Sequence, residues 1–146
     1  MRVALGADHA GYDMKETIKK HLESKGHEVT DFGTDSAEST DYPDYGAPAA
    51  RAVADGEADV AILFCGSGQG MTMVANKIKG VRAALVWRPD VAELSRQHND
   101  ANVLSLPSRF IDEDQAIEIV DVWLGAGFDG GRHTPRVDKT MRTEES

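Results

Sequence analysis

Hydrophobic positions along the chain follow two alternating rhythms. Short unbroken apolar runs are separated by longer segments whose apolar residues recur every three or four positions. "VALGA" (3–7) predicts a buried strand, and a helix over about 11–25 follows it. In that helix Met14, Ile18 and Leu22 are four apart, and Gly26 supplies the stop. "HEVTDFG" (27–33) predicts a second strand; after a polar loop, Pro43 opens an alanine-rich helix over roughly 43–55. "DVAILFC" (59–65) is the most hydrophobic run and is expected at the centre of a sheet. A helix over about 69–77, a strand "VRAALVW" (81–87), a helix over 89–99 and a strand "ANVLSLP" (101–107) come next. The long segment "DEDQAIEIVDVWLGA" predicts another helix; Pro135 can open a short terminal one, whereas "TMRTEES" reads as frayed.

Strands that alternate with helices in this way predict an α/β fold, with a five-stranded parallel sheet covered on both faces. In such a sheet ligands gather beyond the carboxyl ends of the strands, where the strand order reverses. The segments at or after those ends are "GADHAG", "TDYPDYG", "CGSGQG", "WRPD" and "LPSR".

Composition narrows the field. The 146 residues are most simply a single domain, 1–146, long enough to bury a core without staples. A net charge of −9 argues against nucleic acid as a partner, and means that an anionic ligand needs a local cationic cluster. One cysteine forms no internal disulfide. The opening "MRVALGADHAG" reaches Asp8 and His9 too early for a secretory apolar region, and no run approaches the ~20 apolar residues that span a bilayer. A soluble cytoplasmic protein without membrane contact is the expectation.

The most informative chemistry lies at residues 64–73, "FCGSGQGMTM". Gly66, Gly68 and Gly70 stand between a buried strand and a helix start, where successive N–H groups can converge on an anion. A tight strand-to-helix turn would use the same residues. The G-x-G-x-G spacing misses the dinucleotide fingerprint by one position, and "GADHAGYD" has tyrosine where a phosphate loop needs lysine. Cys65 is either an inert apolar filler or a thiol whose pKa these N–H groups lower. His9 and His98 gain interest from position: one ends the first strand, the other closes the fourth helix beside Asn99. Arg109, Arg132 and Arg136 suit phosphate, or are ordinary solvated surface. No close Cys/His ligand spacing occurs, so no dedicated metal site is expected.

Together, "GADHAG", "TDYPDYG", "CGSGQGMTMVANK", "SRQHNDANVL" and "GGRHTPRV" resemble, in order and spacing, the ribose-5-phosphate isomerase B family. That family includes galactose-6-phosphate and allose-6-phosphate isomerase relatives, and the resemblance runs from Met1 to about residue 140. It implies a three-layer Rossmann-like sandwich, a homodimer or dimer of dimers with sites built from both subunits, and no metal or organic cofactor. The tail from about 125 to 146 would then serve the active site or the dimer. The implied reaction interconverts ribose 5-phosphate and ribulose 5-phosphate, a step of the pentose phosphate pathway. By similarity Cys65 is the catalytic base and His98 the acid that assists ring opening. Asp8 and His9 match a ligand-binding pair, Tyr42 a sugar-packing tyrosine, and Gly66, Ser67, Gly68, Gln69 and Gly70 the loop that holds the enediolate oxygens. Asn99, Arg109, Arg132 and Arg136 match the remaining contacts, the arginines directed at phosphate.

One branch of the family replaces the cysteine by a glutamate after the loop; that position is Met71 here, so the chain resembles the cysteine branch. A six-carbon sugar phosphate is the nearest rival substrate. A phosphoacceptor module would want aspartate where Cys65 stands and lysine where Ser108 and Arg109 stand. A thiol hydrolase built on Cys65 and His98 would form an acyl-enzyme, which an isomerase does not.

Overall fold

The computed structural model describes residues 1–145. Its elements are β1 (Arg2–Ala7), α1 (Tyr12–Ser24), β2 (Glu28–Asp31), α2 (Pro43–Ala54), β3 (Val60–Cys65) and α3 (Gln69–Asn76). They continue with β4 (Ala83–Leu85), α4 (Pro89–Gln97), β5 (Val103–Pro107), α5 (Glu113–Gly125) and α6 (Thr134–Arg142), with single 3-10 turns on either side of α6. All five strands are parallel, in the order β2-β1-β3-β5-β4. The chain moves outward from β1 to β2 and then crosses to β3, so the order reverses between β1 and β3.

β3 is central, as its unbroken apolar run predicts, and all six of its residues are buried. Right-handed crossovers then dictate the layers. α1, α4 and α5 cover one face with Ile18, Leu22, Ile119, Val120 and Trp123. α2 and α3 cover the other, where Ala49, Ala50 and Ala52 let the helix lie close to the sheet. That closeness is visible at Gly6, where a Cβ would stand 2.5 Å from the Tyr45 carbonyl oxygen. Among the described residues no helix is long and apolar enough to cross a membrane.

The predicted strands exceed the observed ones by a few residues. β4, expected over 81–87, keeps only Ala83–Leu85, because it lies at the sheet edge and pairs on one side. The tail departs more. "TMR" completes α6, and Glu144 accepts a hydrogen bond from Gly80 N–H at 2.8 Å, tying the end of the chain to the core. Ser146 lies outside the described residues.

One ion pair crosses from α1 to the β2 edge. The fully buried Lys15 ammonium donates to Asp31 Oδ1 and Oδ2 at 2.8 and 2.6 Å, and Lys19 adds a third bond at 3.2 Å. Partial burial disfavours the Asp31 carboxylate, but these lysines and Gly33 N–H outweigh it and hold its pKa below the usual aspartate value. A depressed carboxyl pKa means stability present above the unfolded-state value and lost as pH falls through the folded one, below about 4. Asp31→Ala leaves the Lys15 charge buried with Glu16 alone and is expected to destabilise by about 3 kcal/mol in urea unfolding near pH 7. An unchanged unfolding midpoint would show that the pair is energetically idle.

Candidate active site

The switch point between β1 and β3 gathers most of the predicted residues. Asp8 directly follows β1, is buried, and takes Gly11 N–H on Oδ1 at 3.0 Å. Gly11 is required by contact, since a Cβ there would fall 2.4 Å from the Phe64 carbonyl oxygen. His9 and Thr40 exchange two hydrogen bonds, described below. Cys65 ends β3 and is buried. Its carbonyl accepts from Ser108 N–H at 2.9 Å and from the Ser108 hydroxyl at 3.0 Å, which fixes the loop after β5.

The glycine loop is shaped by one residue. Gly68 has φ 77°, and its carbonyl accepts from the Ser105 and Thr72 hydroxyls, each at 2.7 Å. With the carbonyl turned inward, the N–H groups of Met71, Gly68 and Gly70 are directed at the Cys65 thiol. The Tyr42 ring lies against Gly70, where a Cβ would meet it at 2.6 Å, and the Arg109 side chain lies over Gly66. A cavity of about 410 Å³ opens here, lined chiefly by Asp8, His9, Tyr42, Cys65, Arg109 and Phe110. Gly66, Ser67 and Gly70 also face it, while the Ser67 hydroxyl accepts Gln69 N–H at 3.3 Å.

The balance at the thiol goes to burial. Burial, with a contribution from the Asp8 charge, raises the Cys65 pKa above the ordinary thiol value despite the three N–H groups. The loop reduces this rise without reversing it.

His98, Asn99 and Arg136 are elsewhere. α4 begins beyond the carboxyl end of β4 and runs back, so its C-terminal cap His98 lies at the opposite edge of the sheet. The nine residues of α4 alone span about 13 Å. There His98, Asn99, His133 and Arg136 line a second cavity, of about 660 Å³, together with Val81 and Ala101 from the segments that lead into β4 and β5. The His98 and His133 rings stack with centroids 4.2 Å apart and planes 13° from parallel. Desolvation, then His98, Arg132 and Arg136, push the His133 pKa below the ordinary imidazole value. Asp129 brings a carboxylate within 4.8 Å of both rings. Nearly parallel rings hold their in-plane lone pairs in separate planes and the arginines repel cations, which disfavours a divalent ion at this trio.

The first cavity thus unites Asp8, His9, Tyr42, Cys65, Gly66, Ser67, Gly70 and Arg109, with Gly68 and Gln69 outside its lining, and the second unites His98, Asn99 and Arg136, with Arg132 next to its His133. Thr40, Phe110 and the stacked His133 are additions. The sequence marks Thr40 and Phe110 only by neighbourhood, two residues before Tyr42 and one after Arg109.

The profile of the family described as "Ribose/Galactose Isomerase" matches residues 3–140. The chain belongs to this family. It is 49% identical over 144 residues to "Ribose-5-phosphate isomerase B" of Escherichia coli, covering 99% of this chain and 97% of that one. The solved ribose-5-phosphate isomerase B of Clostridium thermocellum superposes with a TM-score of 0.98 at 48% identity, covering 99% and 98% of the two chains. That of Mycoplasma genitalium, solved with bound ribulose-5-phosphate, gives 0.95 at 44% identity over 99% and 97%.

In this chain the raised thiol pKa has a direct readout. Alkylation of Cys65 by iodoacetamide is expected to be slow at pH 7 and to accelerate with pH beyond ~8.5, where thiolate forms. A rate already level below pH 7 would mean that the N–H groups outweigh burial.

Proposed function

We propose that the chain is a ribose-5-phosphate isomerase that works through a cis-enediolate, with Cys65 as base. The observation that carries this is the Cys65 thiol facing the N–H groups of Met71, Gly68 and Gly70, inside a sugar-sized cavity flanked by Asp8 and Arg109. The thiolate removes the proton from C2 of the open-chain aldose and returns it to C1. A second proton passes from O2 to O1. Charge leaves sulfur as it arrives on the enediolate oxygen, so the same N–H groups stabilise both without reorganising. The aldehyde must first be released from the ring form, a proton transfer suited to His98.

His98 and Cys65 lie at opposite sheet edges of one chain, which supports a site shared between two copies. One copy presents Cys65 and the loop, the other His98, Asn99, Arg132 and Arg136. A two-fold pair presents this combination twice. The arginines clamp the phosphate and lend remote binding energy to orient C1 and C2. His133, kept neutral by its surroundings, adds no charge to that clamp but fixes the His98 ring by stacking. In this reading the segment from about residue 125 onward belongs to the site.

Cys65→Ala and His98→Asn are each expected to abolish turnover of ribose 5-phosphate. Mixed, unfolded together and refolded, they should recover about a quarter of wild-type turnover, because half of the chains pair as hybrids with one intact site each. Persistent inactivity of well-folded mixtures would sink the shared site, and near-normal turnover by Cys65→Ala would sink the base. Arg136→Ala should raise KM about tenfold or more, as loss of a charge-assisted phosphate contact does. Faster turnover of allose 6-phosphate than of ribose 5-phosphate would move the assignment to the six-carbon substrate.

A further inference from the structure

The loop between β2 and α2 touches the active site through a contact that the proton transfers above do not use. His9 N–H donates to Thr40 Oγ1 at 3.1 Å, and Thr40 N–H donates back to His9 Nδ1, also at 3.1 Å. A ring nitrogen that accepts a hydrogen bond carries no proton, so the proton of the neutral imidazole is on Nε2. Turning the ring over would set a carbon against Thr40 N–H and orphan that donor. Among the described residues no protein group hydrogen-bonds to Nε2, and His9 lines the cavity with Asp8, Tyr42, Cys65 and Arg109.

We propose that Thr40 is a positioning residue that locks His9 as a neutral Nε2–H donor to an oxygen of the sugar phosphate. The inference rests on the isomerase reading of this cavity and deepens it. If Cys65 is to be the group that takes the substrate proton, a second free acceptor facing the sugar would compete. The clamp removes that competitor by facing the only lone-pair nitrogen toward the protein. It also ties the strand carrying Asp8 to the loop carrying Tyr42, so the grip and the packing ring move together.

Nitrogen-15 spectra of the histidines in the wild-type chain, assigned by the signal lost in His9→Gln, test the tautomer. An Nε2–H, unprotonated Nδ1 pattern is expected near pH 8; an Nδ1–H pattern overturns the proposal whether or not the chain isomerises anything. Activity tests the role. His9→Gln carries an amide N–H toward the Nε2 position, whereas His9→Asn offers Thr40 an acceptor but nothing to the cavity. The glutamine variant is expected to keep kcat/KM within about tenfold of wild type, with the asparagine variant at least about tenfold lower again. The reverse order would make His9 a structural partner of Thr40 only and would overturn the donor role. Thr40→Val should raise KM about fivefold with kcat little changed, and Thr40→Ser should restore it. Valine keeps the backbone N–H on Nδ1 but lacks the hydroxyl that holds His9 N–H, so a Thr40→Val variant with wild-type KM removes the positioning role of that side chain. A wild-type chain inert toward ribose 5-phosphate would count against the isomerase reading instead, and the spectrum would still decide the tautomer.

Discussion

The conformation of Gly68 is the constraint on which the site depends. Its positive φ turns the peptide so that the carbonyl faces inward, where Ser105 and Thr72 hold it at 2.7 Å. Only then do the neighbouring N–H groups face the thiol at the end of β3. A side chain at this position would be strained by the left-handed backbone, and its Cβ would fall 2.4 Å from Leu85 Cδ1. The loop is therefore a fixed array of dipoles, with no flexible segment to be ordered at the moment of reaction.

Around that array the fold sets two opposed influences on one sulfur. The apolar centre of the sheet that places Cys65 so firmly also desolvates it and raises its pKa, while the loop pulls the other way. Burial prevails, so the resting thiol is protected from casual reaction at neutral pH. In the proposed mechanism, a strongly basic thiolate is what a weakly acidic C–H demands.

The topology also keeps His98 away from Cys65 within one chain, which is why the proposed mechanism draws on two. A helix that starts at the carboxyl edge of a parallel sheet must end at the amino edge, so a residue capping α4 cannot meet one that ends β3. In the proposed shared site, pairing of two copies would resolve this without altering the fold.

Much of the fold was legible in the order of residues. The unbroken run of β3, the fourfold spacing of Met14, Ile18 and Leu22, and Pro43 and Gly26 at helix boundaries predict the elements, because burial and backbone sterics act locally. Family motifs pointed to the candidate site residues. The sequence did not reveal the edge position of β4, which shortened it, or the docking of the tail through Glu144, since both depend on distant partners. It could not weigh burial of Cys65 against its N–H neighbours, and so left the sign of the pKa shift open. Nor could it show that Thr40 meets His9 across 31 residues, or that His98 stacks on His133. What a residue can do was written in its type and local pattern; which groups face one another, and how much water reaches them, was decided only when the sheet closed.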